Sequence, residues 1–268
     1  MSNLVQLLPL GLFMLLTTSL VAIAVRRVRI PYTVALVLVG LVLSLRPPLK
    51  VDLTPELILS ILLPPLVFEA AFHLNLRELR RNVITIALLA VPGVVLTMLI
   101  VGGILSLGAK LPLGLAFVFG ALIAATDPVS VVAIFRKLGA PKRLEVLLES
   151  ESLFNDGTAI VIFGIALAAF QTGQFSLVDG VIDFVLIGGA GIVIGFVIGW
   201  VVSQLIDRID DYLIETTLTT LAAYGSYLVA ETLGVSGVLA VVTAGLLNGN
   251  VGERGMSPTT RIVVLNFW

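Results

Sequence analysis

Apolar residues in this chain run in long stretches separated by short polar segments. A helix needs about 20 largely apolar residues to cross a bilayer. The pattern predicts helices near 4–25, 32–45, 56–76, 83–107, 112–136, 146–170, 177–205, 212–232 and 235–249. A tenth starts near 259 and is cut at Trp268. The stretches 32–45 and 235–249 are short and need residues from their flanks. The first run, Leu4 to Val25, follows Met1-Ser2-Asn3, which lacks the basic residues of a signal peptide, so it reads as a retained helix. Gly and Pro recur inside the spans, as in Val91-Pro92-Gly93 and Gly188-Gly189-Ala190-Gly191. Small residues let membrane helices pack closely.

The polar segments carry the orientation. Arg26, Arg27 and Arg29 follow the first helix, and Arg77, Arg80 and Arg81 the third. Arg136, Lys137, Lys142 and Arg143 follow the fifth, Arg208 the seventh and Arg254 the ninth. The alternate loops hold only Arg46, Lys50 and Lys110, with Arg261 in an ambiguous loop. Twelve basic residues against three place the first set in the cytoplasm and the N-terminus outside. A weak repeat relates the segment beginning at Ala35 and ending at Leu41 to the one from Ala240 to Leu246, on helices that would cross in opposite directions. Inverted repeats are a signature of transporters.

Composition agrees with a polytopic membrane protein. Of 268 residues, 58% are hydrophobic and 12% charged, with a mean hydropathy of +1.13. Soluble domains carry about 25% charged residues. The net charge of −1 gives no footing for nucleic acid. One His and no Cys leave no zinc-ligand pattern and no disulfide.

Against this background, ionisable residues inside the spans are the candidates for function. In the sixth helix Ser152, Asn155 and Asp156 stand at i, i+3 and i+4, on one helical face. Glu151 points roughly 140° away from Asp156, toward another helix and a cationic partner. Glu149 and Glu151 can instead be read as acidic residues favoured at a helix N-terminus. The fifth helix carries Ala125-Thr126-Asp127-Pro128. Pro128 has no N–H, so the carbonyl near Ala124 loses its helical partner and the helix should break. Unpaired backbone is tolerated at that depth only where it lines a cavity or binds an ion. Asp127 either joins that site or caps the half-helix. In the third helix Glu69 lies eight residues before Arg77, roughly 12 Å along a helix. It is an ion ligand or proton-coupled acid, or it pairs with an arginine. His73 reads as a structural polar residue. Oxygen donors on three helices thus can converge, and oxygen suits hard cations. A buried carboxylate favours its proton and a bound cation displaces it. Proton and cation then compete for Asp156.

Four segments, in this order and spacing, resemble the monovalent cation:proton antiporter-1 family of sodium/proton antiporters. They are Leu63-Pro-Pro-Leu-Val-Phe-Glu69, Ala125-Thr-Asp-Pro128, Glu151-Ser-Leu-Phe-Asn-Asp156 and Ser236-Gly-Val-Leu-Ala-Val-Val-Thr-Ala-Gly245. The resemblance implies an all-α antiporter fold with inverted repeats. Residues 1–170 would be the first six-helix repeat, 177–205 a linking helix, and 212–268 the start of a truncated second repeat. It implies exchange of sodium, lithium or potassium for protons by alternating access, with no cofactor. Asp156 would be the shared carboxylate, and Ser152, Thr126 and Glu69 would complete the cation site. Asn155 would mark the usually electroneutral branch. Asp127 and Pro128 would support the broken helices, and Glu151 would pair with an Arg on a later helix. The resemblance further implies a multi-pass protein of the cell membrane, a homodimer in full-length form. Family members run to a dozen or more helices, so a fragment without independent exchange is expected. Two other classes stay open: an intramembrane aspartyl protease built on Asp127 and Asp156, and a non-transporting or channel-forming membrane subunit.

Overall fold

The computed structural model describes residues 2–25, 32–44, 54, 57–174 and 176–268. Among them every regular element is a helix and no strand is present. The chain forms two compact units, Met1–Thr54 and Pro55–Trp268. In the first, α1 (Ser2–Val25) packs on α2 (Tyr32–Ser44), and the Tyr32 hydroxyl donates to the Thr18 carbonyl at 3.5 Å. Arg26, Arg27, Arg29, Arg46 and Lys50 lie outside the described residues, as do the side chains of Arg136 and Lys137.

The second unit shows where proline divides the apolar runs. The third expected helix is a π-helical turn, Ile58–Leu62, followed by α3 (Leu63–His73). Pro64 and Pro65 sit in the first turn of α3, where a missing N–H costs least. Even so, Pro65 cannot serve the carbonyl of Ile61 four residues back. The hydroxyl of Tyr224 donates to that carbonyl instead, at 3.0 Å. A short helix absent from the sequence reading, α4 (Leu76–Arg81), follows. Asn75 caps it by accepting from the amides of Arg77 at 2.9 Å and Glu78 at 3.3 Å. The fourth expected helix is two, α5 (Val83–Ala90) and α6 (Pro92–Gly108), divided at Val91.

The fifth is α7 (Leu113–Leu122) and α8 (Val129–Leu138), with Ala124 to Pro128 outside regular structure. The sixth is longer than expected: α9 (Lys142–Thr172) starts four residues early and stops at Gly173, whose φ is +68°. Glu149 and Glu151 therefore lie beyond the first turn, where the helix dipole has faded. After α10 (Leu177–Ile206) and α11 (Tyr212–Thr232) comes α12 (Gly237–Leu247). A second π-helical turn (Asn248–Gly252), a three-residue helix α13 (Glu253–Gly255) and α14 (Pro258–Phe267) complete the described chain. By length and composition, three stretches of the described residues can each cross a membrane: Val83–Gly108, Lys142–Thr172 and Leu177–Ile206.

The core is built around α12, nearly all of which is buried. It touches α10, α3, α11 and α9. Its backbone meets that of α10 at Gly195, where a Cβ would stand 2.1 Å from the Ala240 carbonyl oxygen. In the π-helical turn that follows α12, a Cβ at Gly249 would stand 1.9 Å from the Phe72 carbonyl oxygen of α3. These contacts exist only because both positions lack a side chain. A second, smaller core joins Val94, Ala121, Ala124, Ala159 and Ile162, from α6 and α9 and from α7 and the residues after it. Helix α9 supplies Leu153 to the first core and Ala159 and Ile162 to the second. Asp156 lies between them in sequence.

Candidate functional site

The unwound segment at Thr126 meets the middle of α9. With no helical amide to serve it, the Thr126 carbonyl accepts a short hydrogen bond from Ser152 Oγ. Asn155, one turn further along α9, donates from Nδ2 to Thr126 Oγ1 at 3.1 Å. The same Nδ2 donates to Glu151 Oε1, also at 3.1 Å. Ser152 and Asn155 thus hold both oxygens of Thr126, main chain and side chain. Ser152 and Asn155 are buried, and Asp156 and Glu151 are half-buried. Gly157 lets α9 close on α12: a Cβ there would stand 2.5 Å from Leu239 Cδ2.

Asn155 Oδ1 is buried and has no hydrogen-bond partner. An unserved buried acceptor is costly, and it fits an oxygen ligand for a hard cation. The carboxylates that act electrostatically on Asp156 are those of Asp127 and Glu151. The negative charge gathered at this point suits a positively charged cargo. Among the described residues no three acidic or imidazole side chains are grouped closely enough to hold a metal ion. A cation here would draw on carbonyl, hydroxyl and amide oxygens beside Asp156.

The structure brings together Thr126, Ser152, Asn155 and, electrostatically, Asp127, Glu151 and Asp156. Among the described residues, Glu69 forms no hydrogen bond to this group. It is exposed and lines a cavity of about 250 Å³ with Pro65, Leu66, Thr220, Tyr224 and Trp268. His73 is exposed, with Nδ1 2.9 Å from the Glu69 carbonyl oxygen. Asp127 and Pro128 stand just ahead of Val129, at the head of α8. Glu151 does turn from Asp156 along the helix, but its spacing to Asn155 is i, i+4, and the hydrogen bond to that amide uses this spacing.

Three further polar residues had no marker in the apolar runs. Glu215 in α11 is 0% exposed, and neither carboxylate oxygen has a hydrogen-bond partner. Asn82, 3% exposed, accepts from Arg143 Nε at 2.9 Å and so ties the start of α9 to the α4–α5 junction. Asn250 bridges α3 and α12: its Oδ1 accepts from the Leu76 amide at 2.9 Å. Its Nδ2 donates to the carbonyls of Leu74 and Leu246 at 2.8 and 2.9 Å. A polar residue close to a helix end is the signal that could have found all three.

Comparison with known proteins places this arrangement. Residues 13–268 match the family described as sodium/hydrogen exchanger, transmembrane. The Na(+)/H(+) antiporter ApNhaP of Aphanothece halophytica is 47% identical over 242 residues, 90% of this chain and 46% of that protein. The low-affinity Na(+)/H(+) antiporter NhaS1 of Synechocystis is 44% identical, with the same coverage. The chain therefore spans about half the length of these two curated relatives. Among solved structures, the sodium proton antiporter MjNhaP1 of Methanocaldococcus jannaschii superposes with a TM-score of 0.75 at 27% identity. That match covers 100% of this chain and 66% of the other. On these matches, across most of its length, the chain belongs to the transmembrane sodium/hydrogen exchanger family.

Proposed function

We propose that the protein containing this chain exchanges sodium, lithium or potassium for protons across a membrane, and that Asp156 is the carboxylate for which cation and proton compete. The observation that carries the reading is the pairing of the broken segment with α9. Thr126 is held at both oxygens by Ser152 and Asn155, and Asn155 keeps a buried acceptor unserved. A dehydrated monovalent cation needs several such oxygens, fixed before it arrives. Names of the relatives, antiporters of sodium and protons, support the same cargo.

Competition for one carboxylate makes exchange one cation for one proton, hence electroneutral. Alternating access would then move α7, α8 and α9 against the helices locked around α12. Arg77 and Arg80 after α3 and Arg254 after α12 line one cavity. That meeting supports the assignment of both loops to the cytoplasmic side.

The test reconstitutes the gene product containing residues 1–268 in vesicles loaded with a pH-sensitive dye. Sodium pulses should release protons, and Asp156→Asn should abolish the release while the protein still purifies as a folded species. In the acidic range the apparent sodium affinity should fall about tenfold per pH unit, as one-for-one competition requires. Full exchange by Asp156→Asn, or a sodium affinity independent of pH, would sink the proposal.

A further inference from the structure

We infer that the junction of α3 and α4 with α13 and α14 is a binding site for a phosphate monoester, carried by a lipid headgroup or free in solution. A cavity of about 620 Å³ opens there. Four arginines line it, Arg77, Arg80, Arg254 and Arg261, against two glutamates, Glu78 and Glu253. One charge of each sign is already spent, because Arg261 Nη2 lies 2.5 Å from Glu253 Oε1. Arg77, Arg80 and Arg254 form no ion pair among the described residues, so three guanidinium groups face the cavity against Glu78 alone.

Positive charge by itself would serve orientation in the membrane and nothing more. Here it stands on a fixed frame. Asn250, part of the lining, is bonded to the Leu76 amide and to the carbonyls of Leu74 and Leu246. These three bonds clamp the turn that carries Arg77 and Arg80 to the helix that precedes Arg254. Asn75, also in the lining, fixes the same turn by capping α4. The arginines therefore arise from two rigid segments far apart in sequence and converge on one volume.

The dimensions and donors select the ligand class. Pockets of a few hundred Å³ suit a small molecule or headgroup. Guanidinium groups pair with phosphate through two parallel hydrogen bonds, which a lysine cluster cannot do. A dianionic phosphate would balance the two positive charges left after Glu78. Basic pockets beside membrane helices are established places for anionic headgroups. This assignment does not rest on ion exchange, and its test reads no transport.

The experiment follows thermal melting of the detergent-purified protein. It is titrated with short-chain phosphatidic acid, with glycerol 3-phosphate as the soluble monoester, and with phosphatidylcholine, a zwitterionic phosphodiester, as the control. A saturable rise with phosphatidic acid only assigns the site to lipid, and a rise with glycerol 3-phosphate only assigns it to a soluble phosphate monoester. A rise with both, each displacing the other, assigns it to the phosphate group itself. In Arg80→Gln/Arg254→Gln the apparent affinity should weaken roughly tenfold or more, as loss of charge-assisted hydrogen bonds requires. Lys110→Gln, in another loop, should leave it unchanged. Should the double variant not fold, the single variants Arg80→Gln and Arg254→Gln take its place. Absence of saturable binding to the unaltered protein overturns the inference. So does equal binding to phosphatidylcholine, or binding that survives loss of the arginines.

Discussion

The side-chain amide of Asn155 has two N–H bonds to give, and it gives them to Thr126 and Glu151. Its oxygen is left with nothing. Thr126→Val would remove one acceptor, at a cost of about 1 kcal/mol, and would delete one oxygen from the proposed cation shell. The apparent KM for sodium should rise severalfold with little change in kcat, and Thr126→Ser should restore it. Sodium titrations of dye recovery read both. A normal KM in Thr126→Val would exclude its hydroxyl from the site. Glu215 poses the opposite problem, a carboxylate enclosed with no hydrogen-bond partner for either oxygen. Burying an uncompensated charge is expensive, so Glu215→Gln should melt no lower than the parent. A marked loss of stability would mean that the negative charge itself is needed there. Helical spacing was enough to place Ser152 and Asn155 together, since i and i+3 share a face. The same spacing does not reveal the tie from Glu151 to Asn155, because an i, i+4 pair becomes a bond only when the amide is turned toward the carboxylate by its other partner, Thr126.

At the scale of elements, Pro128 made the break in the fifth helix legible, yet not its extent. One missing N–H frees one carbonyl. Ala124 to Pro128 leave the helix together because Ser152 and Asn155 offer Thr126 replacement bonds. Those donors come from another helix, and no local pattern shows them. The same limit hid the π-helical turn at Ile58–Leu62, whose Ile61 carbonyl is served by Tyr224, 163 positions away. Glycines were legible as small residues but not as contacts. Gly189 and Gly195 look alike in the run, and only Gly195 meets a neighbouring backbone. Gly195→Ala should therefore cost roughly 1–3 kcal/mol through overpacking against Ala240. Gly189→Ala, with nothing within 4 Å of its Cβ, should be neutral or gain up to about 1 kcal/mol as a better helix former. Melting curves of the two variants, measured side by side, compare the two effects. Equal behaviour would refute the close approach of α10 and α12.

For the second unit as a whole, two kinds of packing meet at α9. Around α12 the contacts are backbone on backbone, at Gly195 and Gly249, with Asn250 clamping the end. Between α9 and α12 the close approach is onto a side chain, where Gly157 meets Leu239, while α6 and α7 are themselves interlocked at Gly120, whose Cβ would stand 2.6 Å from the Met98 carbonyl oxygen. Backbone interlocks have no slack, whereas side-chain interfaces can slide by changing rotamers. The movement proposed for α7, α8 and α9 is therefore expected where α9 meets α12, carrying Asp156 with it. Local opening, read by amide hydrogen exchange, should follow the same division. Amides of α12 should exchange slowest, and those of 123–128 among the fastest within the unit. A ligand that binds only the ordered state protects what it orders. Sodium or lithium, against choline at equal ionic strength, should then slow exchange at 123–128 and along α9 near 150–157. Amides of α12 should keep their rate, since they are already locked. Protection appearing first around Glu69, at 63–73, with none at 123–128, would move the cation site to the α3 cavity. It would return Glu69 to the role that its place in an apolar run first suggested.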